Sequence, residues 1–175
     1  MFIEGHREGL KFDFPKPTHF TSQEEGQESL PVVQEHRTAW DAIGHLEDYD
    51  DPELQLTGKW AGLLPSIPEG QNYLYLTDKG GGEPVFGWRR KYWSFLLKLA
   101  KRLPSWTVTA QPGPATGPFH WRNRRLSMRE LCALQTFPEG YVIPGDLRTA
   151  QRQVGNAVAR LISATPNTRP RDRST

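Results

Sequence analysis

The 175-residue chain is 36% hydrophobic and carries 15 Pro and 16 Gly, which allows one domain, or little more, with a thin core and many loops. A single cysteine excludes an internal disulfide, and the lack of a long apolar run or a signal-like N-terminus argues against membrane insertion and secretion. The net charge of +2 is unevenly spread: residues 1–57 carry 4 basic and 13 acidic residues (−9), residues 58–130 carry 12 and 4 (+8), and residues 131–175 carry 6 and 3 (+3).

Basic and aromatic residues are interleaved in the positively charged middle of the chain, most densely at 88–93 and 121–125. Such interleaving is typical of nucleic-acid surfaces, where cations meet phosphates and planar groups lie near bases. A solvated basic face over an aromatic core would give the same pattern, so composition leaves both interpretations open.

The first predicted elements are short. Phe2 and Ile3 are typical of the end of a strand, residues 12–17 of an extended segment, and residues 21–29 of a polar, mobile loop. Apolar residues at helical spacing then predict a helix over 38–46, with Thr38 or Asp41 as its N-cap.

The middle of the chain is predicted to mix short elements with loops. Tyr73 to Leu76 form a short aromatic strand in this prediction, and residues 77–84 a flexible loop. Residues 92–103 have the apolar spacing of an amphipathic helix that Pro104 ends. Alternation predicts a strand over 106–110, and three prolines and two glycines predict a loop over 111–118.

Two helices are predicted near the C-terminus. Ser127 and Glu130 form a capping-box pattern that opens a helix over 127–137, which Pro138 stops. A second helix is predicted to begin near Thr149 and to continue through Leu161, and the basic tail 165–175 is predicted to be disordered.

Three stretches carry a resemblance to a known family: PSWTVTAQPG at 104–113, RRLSMRELCALQTFPEGY at 124–141 and QRQVGNAV at 151–158. The second resembles the ninth motif of the DNA cytosine-5 methyltransferases, and the third resembles the tenth, with Ala159 where the family usually has proline. The residues that match are Arg124 or Arg125, Leu126, Ser127, Arg129, Glu130, Ala133, Leu134, Gln135, Phe137 and Pro138 in the ninth motif, and Gln153, Gly155, Asn156, Ala157 and Val158 in the tenth. Two long motifs in the right order and spacing make the resemblance specific.

The resemblance extends upstream, because residues 1–19 look like the segment after the family's eighth motif and residues 40–46 like the linker helix that follows. It implies an α/β fold: the C-terminal part of a Rossmann-like S-adenosylmethionine-dependent methyltransferase with a small, loop-rich α+β target-recognition domain. The implied organisation is 1–57 for the end of the catalytic-domain sheet and the linker, 58–123 for the target-recognition region, 124–164 for the motif IX and X helices, and 165–175 for the disordered tail.

The resemblance also implies ligands, which are double-stranded DNA and S-adenosylmethionine, and a cytoplasmic, nucleoid-associated protein of bacterial or phage type. The implied cofactor residues are Gly155, Asn156, Ala157 and Val158, although Gly155 alone is equally typical of a structural helix start. The expected DNA-binding residues are Arg89, Arg90, Thr107, Thr109, Gln111, Thr116, Arg124 and Arg125. The alternative for each of these residues is a solvated loop position. For Arg124 and Arg125, a further alternative is an ion pair with acidic residues of the catalytic domain.

The residues that perform the family's chemistry are missing from this sequence. In the family, a cysteine thiolate adds to C6 of a flipped cytosine, and C5 then takes the methyl group of S-adenosylmethionine. The chain has no Pro-Cys, no Glu-Asn-Val and no Phe-x-Gly-x-Gly segment. Cys132, inside a predicted helix, is expected to be a packed thiol, and five scattered histidines predict no metal site.

Three functions therefore remain in view. The first is the C-terminal portion or small subunit of a DNA cytosine-5 methyltransferase, inactive alone and completed by a larger polypeptide that carries the nucleophile. The second is a non-catalytic DNA-binding module, and the third is a truncated remnant of the enzyme.

Overall fold

The computed structural model describes residues 19–20, 34–49, 51–87 and 91–158. The chain divides into two compact units, Met1–His36 with Ala164–Thr175, and Arg37–Ser163. In the first unit, β1 (His19–Phe20) pairs in parallel with β2 (Gln34–Glu35). The elements predicted at residues 2–3, 12–17, 21–29 and 165–175 lie outside the described residues, and β1 and β2 are too short to show the predicted Rossmann-like sheet.

The second unit begins with the predicted linker helix. Helix α1 (Ala39–Ile43) continues as a 3-10 turn, Gly44–Leu46. Both predicted capping residues take part, because the Asp41 amide donates to Thr38 Oγ1 (3.2 Å) and the Thr38 amide donates to Asp41 Oδ2 (2.8 Å). This reciprocal capping box satisfies two amides that the helix itself leaves unpaired.

The two C-terminal helices are also present, but each ends earlier than predicted. Helix α2 (Met128–Leu134) begins at the predicted capping box of Ser127 and Glu130. It ends three residues before the predicted Phe137, because Thr136 adopts a left-handed backbone conformation (φ 60°). Helix α3 (Leu147–Asn156) is capped by Asp146, whose carboxylate accepts from the Thr149 amide (2.7 Å). The helix starts at Leu147, close to the predicted Thr149, but the prediction that it continues beyond residue 156 is wrong within the described residues, because Ala157 already has extended backbone angles (φ −71°, ψ 146°).

The three helices share one hydrophobic core with side chains from the intervening loops. Ile43 of α1, Leu131 of α2 and Val154 of α3 are buried together, and the remaining buried members are Ala39, Leu99, Val108, Trp121, Leu126 and Cys132. Helix α1 therefore packs with α2 and α3 rather than forming a separate layer. Within the described residues, no helix is long and apolar enough to cross a membrane.

The amphipathic helix predicted over 92–103 is not formed. Residues 95–100 are all buried, whereas an amphipathic surface helix buries only one face, and Leu96 adopts a left-handed backbone conformation (φ 53°). The backbone instead bonds to separate neighbours: the Leu96 amide donates to Ala115 O (2.9 Å), and the Leu99 amide donates to Phe119 O (2.9 Å). Tertiary contacts on both sides override the local helical spacing.

Two predicted strands are likewise wrong. Tyr73–Leu76 is a 3-10 turn, because the Asn72 side chain caps it by accepting from the Leu74 amide (3.0 Å). Residues 106–110 form no strand, whereas the predicted loop over 111–118 is present and touches its neighbours through an isolated bridge at Thr116. A second hydrophobic core forms around these loops, and its buried members are Leu64, Ile67, Tyr73, Leu76, Phe95, Leu96, Ala115 and Phe119.

Candidate DNA and cofactor surfaces

The predicted loop over 111–118 carries two of the expected DNA-binding residues, Gln111 and Thr116, and its residues 111–117 are here termed the recognition loop. The C-terminal half of this loop is fixed to the core, because the Gly117 amide donates to Ser94 O (2.8 Å) and Ala115 O accepts from the Leu96 amide. Gln111, at the start of the loop, is exposed. The loop therefore combines a rigid base with a polar side chain in solvent.

The predicted threonines differ in what their side chains contact. Thr107 is exposed, whereas Thr109 is half-buried and donates its hydroxyl to Gly117 O (3.2 Å). Thr116 accepts from the Gly113 amide (3.0 Å) and shares a hydrogen bond with the Tyr92 hydroxyl (2.8 Å). The hydroxyl of Thr116 is thus engaged within the protein.

Arg125 joins this surface, because it lines a cavity of about 30 Å³ together with Thr109 and Thr116. Its Nη2 donates to Pro114 O (3.0 Å), which ties the guanidinium to the recognition loop. Arg89 and Arg90 lie outside the described residues.

Arg124 has a different environment from its neighbour. Its guanidinium is buried and binds Glu130 through two hydrogen bonds, Nη1 to Oε2 (2.9 Å) and Nη2 to Oε1 (2.8 Å). The expectation that Arg124 contacts DNA phosphate is therefore corrected, because a guanidinium enclosed in the core and paired there does not face a solvent-side ligand. The alternative prediction, that Arg124 pairs with an acidic residue, agrees with the structure, and the acidic residue is Glu130 of this chain.

His120 completes this buried network. Its Nε2 lies 3.4 Å from Glu130 Oε1, and its Nδ1 accepts from the Arg122 amide (3.0 Å). Burial lowers the pKa of His120 to about 4, with Arg124 and Arg122 adding to the effect and Glu130 opposing it. His120 is therefore neutral near pH 7, and the tautomer that carries its proton on Nε2 fits the bond at Nδ1.

The predicted cofactor residues lie at the C-terminal end of α3, where Asn156 is exposed and Val158 is 47% exposed, while Ala157 is half-buried. Gly155 has a structural use, since a Cβ there would meet the Ala110 Cα at 2.4 Å. The glycine allows the backbone of Ala110 to approach closely, and it lies in the last turn of α3, so the alternative of a helix start at this position is corrected. Of the four predicted cofactor residues, Asn156 and Val158 are the exposed ones.

Cys132 is confirmed as a packed thiol. It is buried in α2, and burial raises its pKa, which disfavours the reactive thiolate. The part of the chain that the structure describes contains no group of three or more His, Cys, Asp or Glu side chains that could hold a metal ion.

Three exposed aromatic residues were not predicted as site residues, and one of them, Tyr92, contacts the recognition loop through Thr116. Tyr92 is 51% exposed, and Trp93 (49%) and Trp106 (39%) pack edge to face with ring centroids 5.7 Å apart. The available signal for Tyr92 and Trp93 was their position beside basic residues, but the predicted helix over 92–103 did not place Tyr92 against the loop.

Comparison with known proteins agrees with these motifs. The model of the C-5 cytosine-specific DNA methylase family matches residues 1–164. The chain is 38% identical over 168 residues to the Type II methyltransferase M.SacI of Streptomyces achromogenes, covering 90% of this chain and 43% of that protein. It is 31% identical over 173 residues to M1.HphI of Haemophilus parahaemolyticus (93% and 40%), and 43% identical over 150 residues to M.BbvI of Brevibacillus brevis (85% and 37%).

The chain spans about two fifths of the length of these Type II methyltransferases, and no solved structure matches it. Proteins of the matched family share a Rossmann-like fold and use S-adenosylmethionine as methyl donor. The family model covers residues 1–164 of the 175, so the chain belongs to the C-5 cytosine-specific DNA methylase family.

Proposed function

We propose that these residues are the C-terminal portion or small subunit of a DNA cytosine-5 methyltransferase, and that they supply DNA target recognition and part of the S-adenosylmethionine pocket. The observation that carries the proposal is the placement of Cys132. It is the only cysteine in these 175 residues, and it is enclosed in the helical core of a chain whose family requires a cysteine nucleophile. The nucleophile then comes from polypeptide outside these residues.

The end of α3 fits one end of the cofactor. A helix C-terminus carries partial negative charge, which favours a cation, and S-adenosylmethionine presents an α-ammonium group. Asn156 adds an exposed amide whose oxygen accepts from an ammonium and whose NH2 donates to a carboxylate. Exposed Val158 offers apolar contact beside it.

S-adenosylmethionine supplies the methyl group in this reaction, and the described residues have a holding role. Asn156 orients the amino-acid end, and Gly155 keeps the last turn of α3 against Ala110, next to the recognition loop. This contact supports the idea that one rigid unit carries part of the cofactor pocket and the DNA-reading loop.

On the DNA side, Gln111 is the proposed base-edge reader, because it is exposed on an anchored loop and its amide can donate and accept together. Thr107, Thr109 and Arg125 are proposed to contact the sugar–phosphate backbone. Arg89 and Arg90 are proposed as further phosphate contacts from the same positively charged segment of the sequence.

The DNA-binding half of the proposal is tested by electrophoretic mobility shift over a series of salt concentrations. We expect affinity for duplex DNA to fall steeply as salt rises. Binding of Lys and Arg to phosphates releases counterions from the DNA, and this release becomes less favourable as the salt concentration increases. The measurement compares the chain alone with the chain plus the polypeptide that carries the nucleophile. Affinity that does not depend on salt, or no binding in either mixture, contradicts the assignment.

A further inference from the structure

We propose that Tyr92 is a specificity-determining positioning residue, whose hydroxyl holds Thr116 and thereby sets the conformation of the recognition loop, residues 111–117. The inference rests on the proposed function, since it assumes that this loop reads DNA.

Thr116 connects the two halves of the loop. Its hydroxyl accepts from the Gly113 amide (3.0 Å), and its own amide donates to Gly113 O (3.1 Å). Because both bonds involve Thr116, the segment that presents Gln111 depends on where the Thr116 side chain is held.

Tyr92 holds that side chain from outside the loop. The two hydroxyl oxygens are 2.8 Å apart, and 24 positions separate the residues in sequence. The Tyr92 ring packs edge to face against Phe95 with centroids 5.6 Å apart, and Phe95 is only 4% exposed. The core thus fixes the ring, and the ring places its hydroxyl on the loop.

Gly113 leaves room for this arrangement. A Cβ at residue 113 would lie 3.1 Å from Thr116 Oγ1, a tight contact, and 3.9 Å from the Tyr92 hydroxyl, an ordinary one, so a side chain there would press on Thr116. The polar cluster of Tyr92, Gly113 and Thr116 is therefore closely fitted, as a device for fixing a loop requires.

In this arrangement the predicted DNA-binding residues have different roles. Thr116 uses its hydroxyl within the protein, whereas Gln111 and Thr107 remain exposed for DNA. Loss of the Tyr92 hydroxyl would leave the ring and the core in place and release only the Thr116 side chain. Recognition geometry would then change while the catalytic chemistry, located elsewhere, would not.

The test uses the complete enzyme, that is, this chain together with the polypeptide that supplies the nucleophile. The variants are Tyr92→Phe, Thr116→Val, the double variant, and Thr116→Ser, which retains the hydroxyl. Tyr49→Phe is the matched control, because it removes a hydroxyl from another exposed tyrosine, which makes a weak contact with Asp51 at 3.4 Å. Bisulfite sequencing of genomic DNA from cells that express the wild-type enzyme identifies the target site directly.

We expect Tyr92→Phe and Thr116→Val each to raise the KM for target duplex by about two- to tenfold, with kcat and the KM for S-adenosylmethionine unchanged. Methylation at sites that differ from the target by one base should rise. The double variant should match the single variants, because both remove the same bond, and Thr116→Ser and Tyr49→Phe should behave as wild type.

Unchanged KM and an unchanged set of methylated sites in Tyr92→Phe would overturn the inference. So would a fall in kcat that accompanies a lowered melting temperature, since that pattern indicates a general loss of structure. If the wild-type enzyme methylates no cytosine, the proposed function fails and the inference fails with it. Wild-type methylation with an unaffected variant refutes the role of Tyr92 alone.

Discussion

Gly155, in the last turn of α3, lies directly against the backbone of Ala110, so that a Cβ on residue 155 would be 2.4 Å from the Ala110 Cα. Ala110 immediately precedes the recognition loop, and Asn156 immediately follows Gly155. The proposed cofactor-binding end of α3 and the proposed DNA-reading loop are therefore joined by one backbone contact that only glycine permits.

Substitution of this glycine should move the helix. Gly155→Ala places a methyl group against backbone atoms that cannot rotate away, and we expect a loss of about 1–3 kcal/mol in the free energy of unfolding, as for other overpacked sites. Urea unfolding measures it. Gly62→Ala is the control, because a Cβ at residue 62 meets nothing within 4 Å, and equal stability losses for the two variants would contradict the packing role.

The buried pair of Arg124 and Glu130 makes a second prediction. Glu130→Gln leaves the Arg124 charge without its anionic partner in the core, which should cost about 3–5 kcal/mol of unfolding free energy. The double variant Arg124→Gln/Glu130→Gln removes both charges and should be more stable than Glu130→Gln. Exposed Glu139→Gln serves as the control in the same thermal and urea unfolding measurements.

A Glu130→Gln variant with wild-type stability would show that the pair does not organise this region. The same result would reopen the question of whether Arg124 contacts phosphate, because its guanidinium would then not depend on Glu130.

His120 should make folding sensitive to acid. Its pKa is about 4 in the fold against an ordinary value of 6.5, so between these values the unfolded chain binds the proton more readily. The free energy of unfolding should therefore be highest above about pH 6.5 and should fall as the pH drops towards 4. The loss due to His120 between pH 7 and pH 5 should be on the order of 2 kcal/mol.

Urea unfolding at pH 7 and pH 5 checks this, with His120→Gln compared against wild type. The variant should lose less stability over this interval, since it has no imidazole to protonate. His45→Gln, at an exposed position, should follow the wild-type dependence. Identical pH dependence in all three proteins would contradict the assignment to His120.

Substitution of Asn156 should weaken cofactor binding and leave DNA affinity unaltered. In the complete enzyme, Asn156→Ala should raise the KM for S-adenosylmethionine roughly ten- to a hundredfold, because a hydrogen bond to a charged group is lost. The KM for DNA should be unchanged. Arg152→Ala, exposed on the same helix, controls for changes to α3 itself, and a rise only in the KM for DNA would exclude the cofactor role.

Local patterns were the predictable part of this structure. The capping boxes at Thr38 and Ser127 and the loop at 111–118 follow from residues within a few positions of one another, so the sequence contains what is needed to identify them. The 92–103 segment depends instead on partners at residues 115–119, which its own spacing does not reveal.

The candidate site shows the same division. Motif matches located Gly155 and Asn156, but the close approach of Ala110 to Gly155 needed the fold. Adjacent Arg124 and Arg125 are chemically alike in sequence, and only tertiary structure buries one against Glu130 and leaves the other beside the recognition loop. Tyr92 and Thr116 are too far apart in sequence for their bond to be predicted.

The central claim is that this chain contributes recognition and cofactor contacts to a methyltransferase whose nucleophile lies outside it. The most direct test measures transfer of tritium from labelled S-adenosylmethionine to duplex DNA, with this chain alone, with the nucleophile-bearing polypeptide alone, and with both. We predict that tritium is incorporated only when both polypeptides are present. The Cys132→Ala variant of this chain should support the same incorporation as the wild type. Methylation by this chain alone, or loss of activity in Cys132→Ala when the variant folds normally, would contradict the account.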